Sequence, residues 1–151
     1  FLKYKPTAHI HGFDSWQGLP ESWDVGNKVY KPRDMSVPMP EFDDRVELWK
    51  GWFEDTIGPW KDQHPGSIQL LHVDGDLYSS AKTVLHKLND RIVPGTVIIF
   101  DEIANWRLAG KMSEWCDGEW LALIEWMQTF DREVEPLARS CLNQASVTVT
   151  K

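Results

Sequence analysis

The chain is poor in cysteine, in positive charge and in long apolar runs. Two cysteines, Cys116 and Cys141, among 151 residues make no disulfide framework. They fit a reducing compartment such as the cytoplasm, with a single bridge between them as the open alternative. Lys and Arg total 16 against 23 Asp and Glu, a net charge of −7. A nucleic-acid partner would call for a basic face, so this balance argues against one. No apolar run approaches the ~20 residues that span a bilayer, so no membrane span is expected. A hydrophobic fraction of 42% with 26% charged residues excludes a disordered chain, and the length predicts one domain over residues 1–151. The start, Phe1-Leu2-Lys3-Tyr4-Lys5-Pro6, lacks the pattern of a signal peptide and reads as a cut into something longer.

Tryptophan is abundant instead, with nine residues. Thr7 to Asp14 reads as a strand. Residues 15–43, rich in Pro, Gly, Ser and Asp, form a loop long enough to suggest function or mobility. Residues 44–50 alternate as a second strand; Gly51 to Ile57 turns away, and Gly58-Pro59 punctuates. Residues 67–74 form a third strand. Ala81, Val84, Leu85, Leu88 and Ile92 recur at helical spacing within 79–92, and Pro94-Gly95 ends that helix. Residues 96–100 are a continuous apolar strand, the pattern of a sheet covered on both faces. A helix over 118–130 and a hairpin of 134–141 with 145–150 complete the order. Strands alternating with helices predict an α/β fold, parallel at its centre, with an antiparallel edge hairpin at its C-terminus.

Three strands end in acids: Asp14, Asp74 and Asp101-Glu102. In an open parallel α/β sheet the carboxyl ends of the strands share one rim, and ligands bind outside it. Asp74, Asp101 and Glu102 offer hard oxygen ligands suited to Mg²⁺, Mn²⁺ or Ca²⁺. Asp14 ends a different strand, where an acid commonly takes a ribose hydroxyl. The plainer alternative is helix capping, for instance by Asp76 ahead of Ser79-Ser80. Asp74-Gly75-Asp76 is also a DxD, the pair that holds Mn²⁺ in nucleotide-sugar glycosyltransferases; a dehalogenase-type phosphatase, which also begins with DxD, fits poorly. Trp120 reads as core and Trp126 as off the helix stripe. Trp16, Trp23, Trp52, Trp60 and Trp106 fall in or near rim loops, to stack on a ligand or to pack over the core. His72 reads as a packed core residue, and His9 and His11 have no ligand spacing to anything. Arg107 and Lys111 are rim charges or substrate contacts.

Several segments carry a resemblance. Phe13-Asp14-Ser15-Trp16-Gln17-Gly18-Leu19-Pro20-Glu21 is similar to FDSFxGLPE, and Gly51-Trp52-Phe53-Glu54-Asp55-Thr56 to GxFxDT. His72-Val73-Asp74-Gly75-Asp76-Leu77-Tyr78-Ser79-Ser80 is similar to HxDxDLYxS, and the run from Pro94 to Glu102 to PGGxxxFDD/E. Asp117-Gly118-Glu119-Trp120 resembles a GE helix start. In order and spacing these resemble the macrocin O-methyltransferase family from about residue 8 to the C-terminus. Those are class I methyltransferases using S-adenosylmethionine and a divalent metal. The resemblance implies a Rossmann-like, mostly parallel sheet and an acceptor hydroxyl on a sugar or other natural product. It implies that Asp14 holds the cofactor's ribose with Ser15 in the same loop, and that Gly51, Trp52 and Phe53 lie beside the adenine. It places a metal, Mg²⁺ by preference, on Asp74, Asp101 and Glu102, and leaves Asp76 and Glu102 as candidates for the base.

Two departures stand out. Leu77 occupies the place of a lysine used by the related catechol enzymes. The family's glycine-rich turn, which follows the strand before the ribose acid, is absent, so the fold is expected to be truncated before its usual first strand. Either residues precede Phe1, or the sheet is re-paired with strand 8–14 directly against strand 67–74. An open or rearranged edge would favour a homo-oligomer, and a re-paired sheet would favour a non-catalytic module that binds metal or a partner.

Overall fold

The computed structural model describes residues 3, 5, 7–25, 28–42, 44–103 and 117–151. Two parallel strand pairs position everything else. β1 (Ile10–Asp14) pairs with β4 (Val46–Lys50), residue 10 opposite 46 through 14 opposite 50. β5 (Leu70–Val73) pairs in parallel with β6 (Val97–Phe100). β6 continues antiparallel to β8 (Ala145–Val149), and β8 to β7 (Val134–Arg139), giving the order β5-β6-β8-β7. The antiparallel C-terminal edge is thus as the alternating Ala145, Val147 and Val149 predict. Among the described residues β1 bonds only β4, and β5 bonds only β6 along its other side. The re-paired alternative, with β1 directly against β5, does not occur.

Helices join the two pairs where no ladder does. α1 (Phe53–Gln63) buries Thr56, Ile57 and Trp60, and α2 (Tyr78–Lys87) buries Ala81, Val84 and Leu85. Ile57 and Trp60 share one apolar cluster with Val73, Leu85, Ile92, Ile98 and Phe100. Lys61 ion-pairs with Asp90, and Arg91 donates to the Lys61 carbonyl at 3.0 Å. No described helix is long and apolar enough to cross a membrane.

Four local expectations are corrected. Gly58-Pro59 does not end a turn: α1 runs through Pro59, because burying Ile57 and Trp60 outweighs one lost backbone hydrogen bond. The long loop carries a small hairpin of β2 (Trp23–Asp24) and β3 (Val29–Tyr30), with Trp23 stacked on Tyr30 at 5.4 Å. Trp60 is core rather than rim. On α3 (Glu119–Phe130) the buried stripe is Glu119, Ala122, Leu123 and Trp126. Its phase is one residue away from the expected one: Trp126 is fully buried while Trp120 is 38% exposed. Trp126 tolerates burial because its indole N–H donates to Asn89 Oδ1 at 3.0 Å, as does the Arg132 guanidinium at 3.1 Å. Trp106, Arg107, Lys111 and Cys116 lie outside the described residues; Cys141 is free and exposed.

Trp126→Ala is therefore expected to cost about 3–5 kcal/mol of stability, and Trp120→Ala about 1 kcal/mol or less. Urea denaturation of the two variants checks the order; a larger loss at Trp120 contradicts it.

Candidate functional site

The parallel ladders deliver the acids to one rim. At the end of β1 the Asp14 carbonyl accepts the Gly51 N–H at 2.9 Å, which fixes the ends of β1 and β4 side by side. Asp14 Oδ1 accepts the Trp16 N–H at 2.6 Å. This is an Asx-type turn, and it holds Trp16 in the left-handed region at φ +54°, where a bulky residue is strained. Ser15 is buried, and its hydroxyl accepts the Gln17 N–H at 3.0 Å. Gly18, at φ +77°, must be glycine: a Cβ there would lie 2.2 Å from the Asp34 carbonyl oxygen. Glu21 accepts the Ser79 hydroxyl, so the loop after β1 is tied to the start of α2.

β5 and β6 deliver the second group. The Asp101 N–H donates to the Val73 carbonyl at 3.0 Å, extending the ladder by one step and bringing Asp101 beside Asp74. Asp76 sits in the left-handed region at φ +60°. It does not cap α2; the residue at that position is Leu77, with no side-chain cap bond. A cleft of about 120 Å³ lies between the two groups. Asp14, Ser15, Gly51, Trp52 and Phe53 line it together with Asp74, Gly75, Asp76 and Ser80. The five residues expected to hold a cofactor are thus together, with Asp74 and Asp76. Asp101 and Glu102 are not in the lining. The volume is below the roughly 300 Å³ of a complete small-molecule pocket, so these residues form part of a cradle.

The acids perturb one another. Burial and the Asp74 and Asp101 carboxylates push Asp76 up to about 6. Burial, with Asp76, Asp101 and Asp74 nearby, pushes Glu102 up to about 7, although Asn143 Nδ2 donates to its Oε2 at 3.1 Å. Partial burial and Asp101 raise Asp74 as well. No lysine or arginine ion-pairs with these four among the described residues. Of the expected ligands, Asp74 and Asp101 come within ligating distance of one another, with His72 as the third member, and Glu102 is not in that group. Two carboxylates with no lysine or arginine partner among the described residues fit a divalent metal.

Two neighbours escaped sequence reasoning. His72 is not packed in the core: its side chain is 51% exposed, with Nε2 3.7 Å from Asp101 Oδ1. His72, Asp74 and Asp101 can each offer an atom within 4.8 Å of the others. The signal was present, since residues two apart on a strand share a face. Glu119, the first residue of α3, is fully buried. Its Oε2 accepts the Glu102 N–H at 2.9 Å, the Gly75 N–H also donates to the carboxyl, and Oε1 has no hydrogen-bond partner. One buried carboxyl thus ties the loop after β5 to the loop after β6. Burial pushes its pKa up to about 8. The strand periodicity carries no trace of this residue; its signals were the GE helix start and its place on the buried stripe of α3.

Residues 6–115 match the family model described as Macrocin-O-methyltransferase (TylF). The chain belongs to the macrocin O-methyltransferase family. A curated relative, the 8-demethyl-8-(2,3-dimethoxy-alpha-L-rhamnosyl)-tetracenomycin-C 4'-O-methyltransferase of Streptomyces olivaceus, is 29% identical, over 60% of this chain and 40% of its own length. The O-methyltransferase NovP and the calicheamicin methyltransferase CalS11 share the fold, each with a TM-score of 0.70 and 22% identity. The superposition covers 99% and 96% of this chain, and 64% and 62% of theirs. The chain thus spans about two fifths of that curated relative and under two thirds of either structure. The Rossmann-like class, covering only part of the family fold, is as expected from the motif order. The comparisons do not favour the glycosyltransferase alternative.

Glu119 makes stability depend on pH. Its carboxyl titrates near the ordinary 4.5 in the unfolded chain and near 8 in the folded one. The contribution is therefore complete below about 4.5 and lost as pH rises towards 8. Without added metal, Glu119→Gln, which keeps an acceptor for the two N–H groups, is expected to flatten that fall. Glu119→Leu orphans both N–H groups and costs about 1–3 kcal/mol for each. Urea midpoints between pH 5 and pH 8 test this; parallel slopes for Glu119→Gln and the parent contradict it.

Proposed function

We propose that the chain carries the catalytic site of an S-adenosylmethionine- and divalent-metal-dependent O-methyltransferase acting on a hydroxyl of a natural-product sugar. One observation carries the reading: a cleft that brings together the expected cofactor residues and a crowd of carboxylates with no lysine or arginine partner among the described residues. Family membership supports methyl transfer, and the relative named for a rhamnosyl-tetracenomycin supports a sugar hydroxyl.

On this reading Asp14 receives the ribose hydroxyls, with Ser15 and Gly18 shaping the loop that holds it. Gly51 lets the chain turn tightly beside Asp14 at φ +146°, and Trp52 and Phe53 offer apolar area to the adenine. Asp74, Asp101 and Glu102 hold Mg²⁺ or a similar hard cation. The cation, when bound, lowers the pKa of a substrate hydroxyl, and the cofactor supplies the methyl group. Asp76 takes the hydroxyl proton. It is favoured over Glu102 as the base because it lines the cleft, whereas Glu102 does not and has one oxygen accepting from Asn143. A carboxylate titrating near 6 is ionised at neutral pH and basic enough to accept a proton from an acidified hydroxyl.

Asp76→Asn is expected to lower kcat at least ~100-fold while leaving S-adenosylhomocysteine affinity within a few-fold. Asp14→Ala is expected to weaken that affinity about 10-fold or more, with metal affinity unchanged. Calorimetry and methyl-transfer assays on both variants check the division of roles; an unchanged kcat in Asp76→Asn rules Asp76 out. Divalent affinity is expected to rise as pH increases from 6 to 7, because protons leave Asp76 and Glu102 over that range. A flat profile contradicts metal binding by these acids.

A further inference from the structure

Away from the rim, a second group of metal-competent side chains converges, and neither the family resemblance nor the comparisons assign it anything. His11 on β1 stands opposite Glu47 on β4 in the parallel register, and His64 follows the last turn of α1. His11 Nδ1 lies 3.1 Å from Glu47 Oε2, and His64 Nε2 lies 3.3 Å from the same oxygen. Each residue offers one atom within 4.8 Å of the others. His11 and Glu47 sit towards the amino-terminal ends of their strands, so the group is remote from the acids beyond Asp14 and Asp74.

The ring nitrogens are set up as ligands. His64 Nδ1 lies 3.0 Å from the Trp60 carbonyl oxygen, a contact that places the proton on Nδ1 and leaves the Nε2 lone pair aimed at the carboxylate. A backbone carbonyl behind a histidine is the usual orienting partner of a metal-bound imidazole. His11 Nδ1 is buried, and Glu47 is the group it faces. The two imidazoles are 4.4 Å apart, with Trp60 stacked on His64 and Trp49 edge-on to it. With the Nδ1 proton of His64 directed at the Trp60 carbonyl, its Nε2 lone pair faces the Glu47 carboxylate, and the two repel unless a proton or a metal ion lies between them. Tetrahedral zinc, with bonds of about 2.0–2.2 Å, separates its ligand atoms by roughly 3.3–3.6 Å, close to both distances to Glu47. Two imidazoles with one carboxylate favour Zn²⁺ over Mg²⁺. The half-exposed Glu47 leaves a fourth position open to water.

We propose that His11, Glu47 and His64 form a structural Zn²⁺ site that clamps the C-terminal end of α1 onto the β1–β4 pair. The site is independent of the methyl-transfer reading. It is tested by titrating Zn²⁺ into chelator-stripped protein carrying Asp74→Ala and Asp101→Ala, which removes the rim ligands. One equivalent is expected to bind and raise Tm. Adding His64→Gln or His11→Gln is expected to weaken binding by more than the 10–100-fold that loss of an outer-shell partner costs. No bound equivalent, or equal affinity with and without His64, overturns the site. Should those variants fail to fold, ¹⁵N spectra of the histidine rings in the unaltered chain decide. Zn²⁺-dependent shifts at His11 and His64 support the site, and shifts confined to His72 or to no histidine overturn it.

Discussion

Carboxylates crowded at the ends of two adjacent parallel strands are the constraint on which the rest of the site depends. Asp74 and Asp101 follow β5 and β6 directly, and the ladder that makes those strands a pair also makes their acids neighbours. Such an arrangement is self-repelling, and burial together with that repulsion raises the pKa values of Asp76 and Glu102. It persists because backbone geometry and a buried carboxyl on α3 hold the two loops in place. Glu119 is not itself among the cleft-lining residues, yet it accepts N–H groups from both loops. Repulsion among oxygens is thus maintained by hydrogen bonding beneath them, the pattern expected where a cation supplies the missing charge.

The second constraint is how the two strand pairs are joined. No ladder connects β1 to β5 among the described residues, so their relative placement falls to α1, α2 and the apolar cluster of Ile57, Trp60, Val73 and Leu85. The cleft is the space left at the rim between them. That explains why its walls come from four separated segments, around residues 14–20, 35, 51–53 and 74–80, with a side-chain tie from Glu21 to Ser79 between two of them.

Much of this was legible in the sequence. The strands ending in Asp14, Asp74 and Asp101 are strand-like runs closed by an acid, and parallel topology follows from the intervening helices. The convergence of the rim therefore needed no side-chain detail. What stayed illegible depended on phase or on partners from separate elements. A one-residue phase error on α3 exchanged Trp120 for Trp126 and hid Glu119 on the same stripe. His72 was assigned to the wrong face, although it lies two residues from Asp74. Gly58-Pro59 masked α1, because local propensity there opposes the helix that packing favours. His11, Glu47 and His64 come from a strand, its parallel partner and a helix end, and no linear spacing could relate them.

The central claim is that the rim acids share one divalent cation beside the cofactor cleft. Diffraction from crystals grown with Mn²⁺ and S-adenosylhomocysteine tests it most directly, through the anomalous signal of the metal. The account predicts one strong peak bonded to oxygens of Asp74, Asp101 and Glu102, with Asp76 free to face the acceptor position. A rim without a peak, its carboxylates bonded only to protein or water, would contradict it.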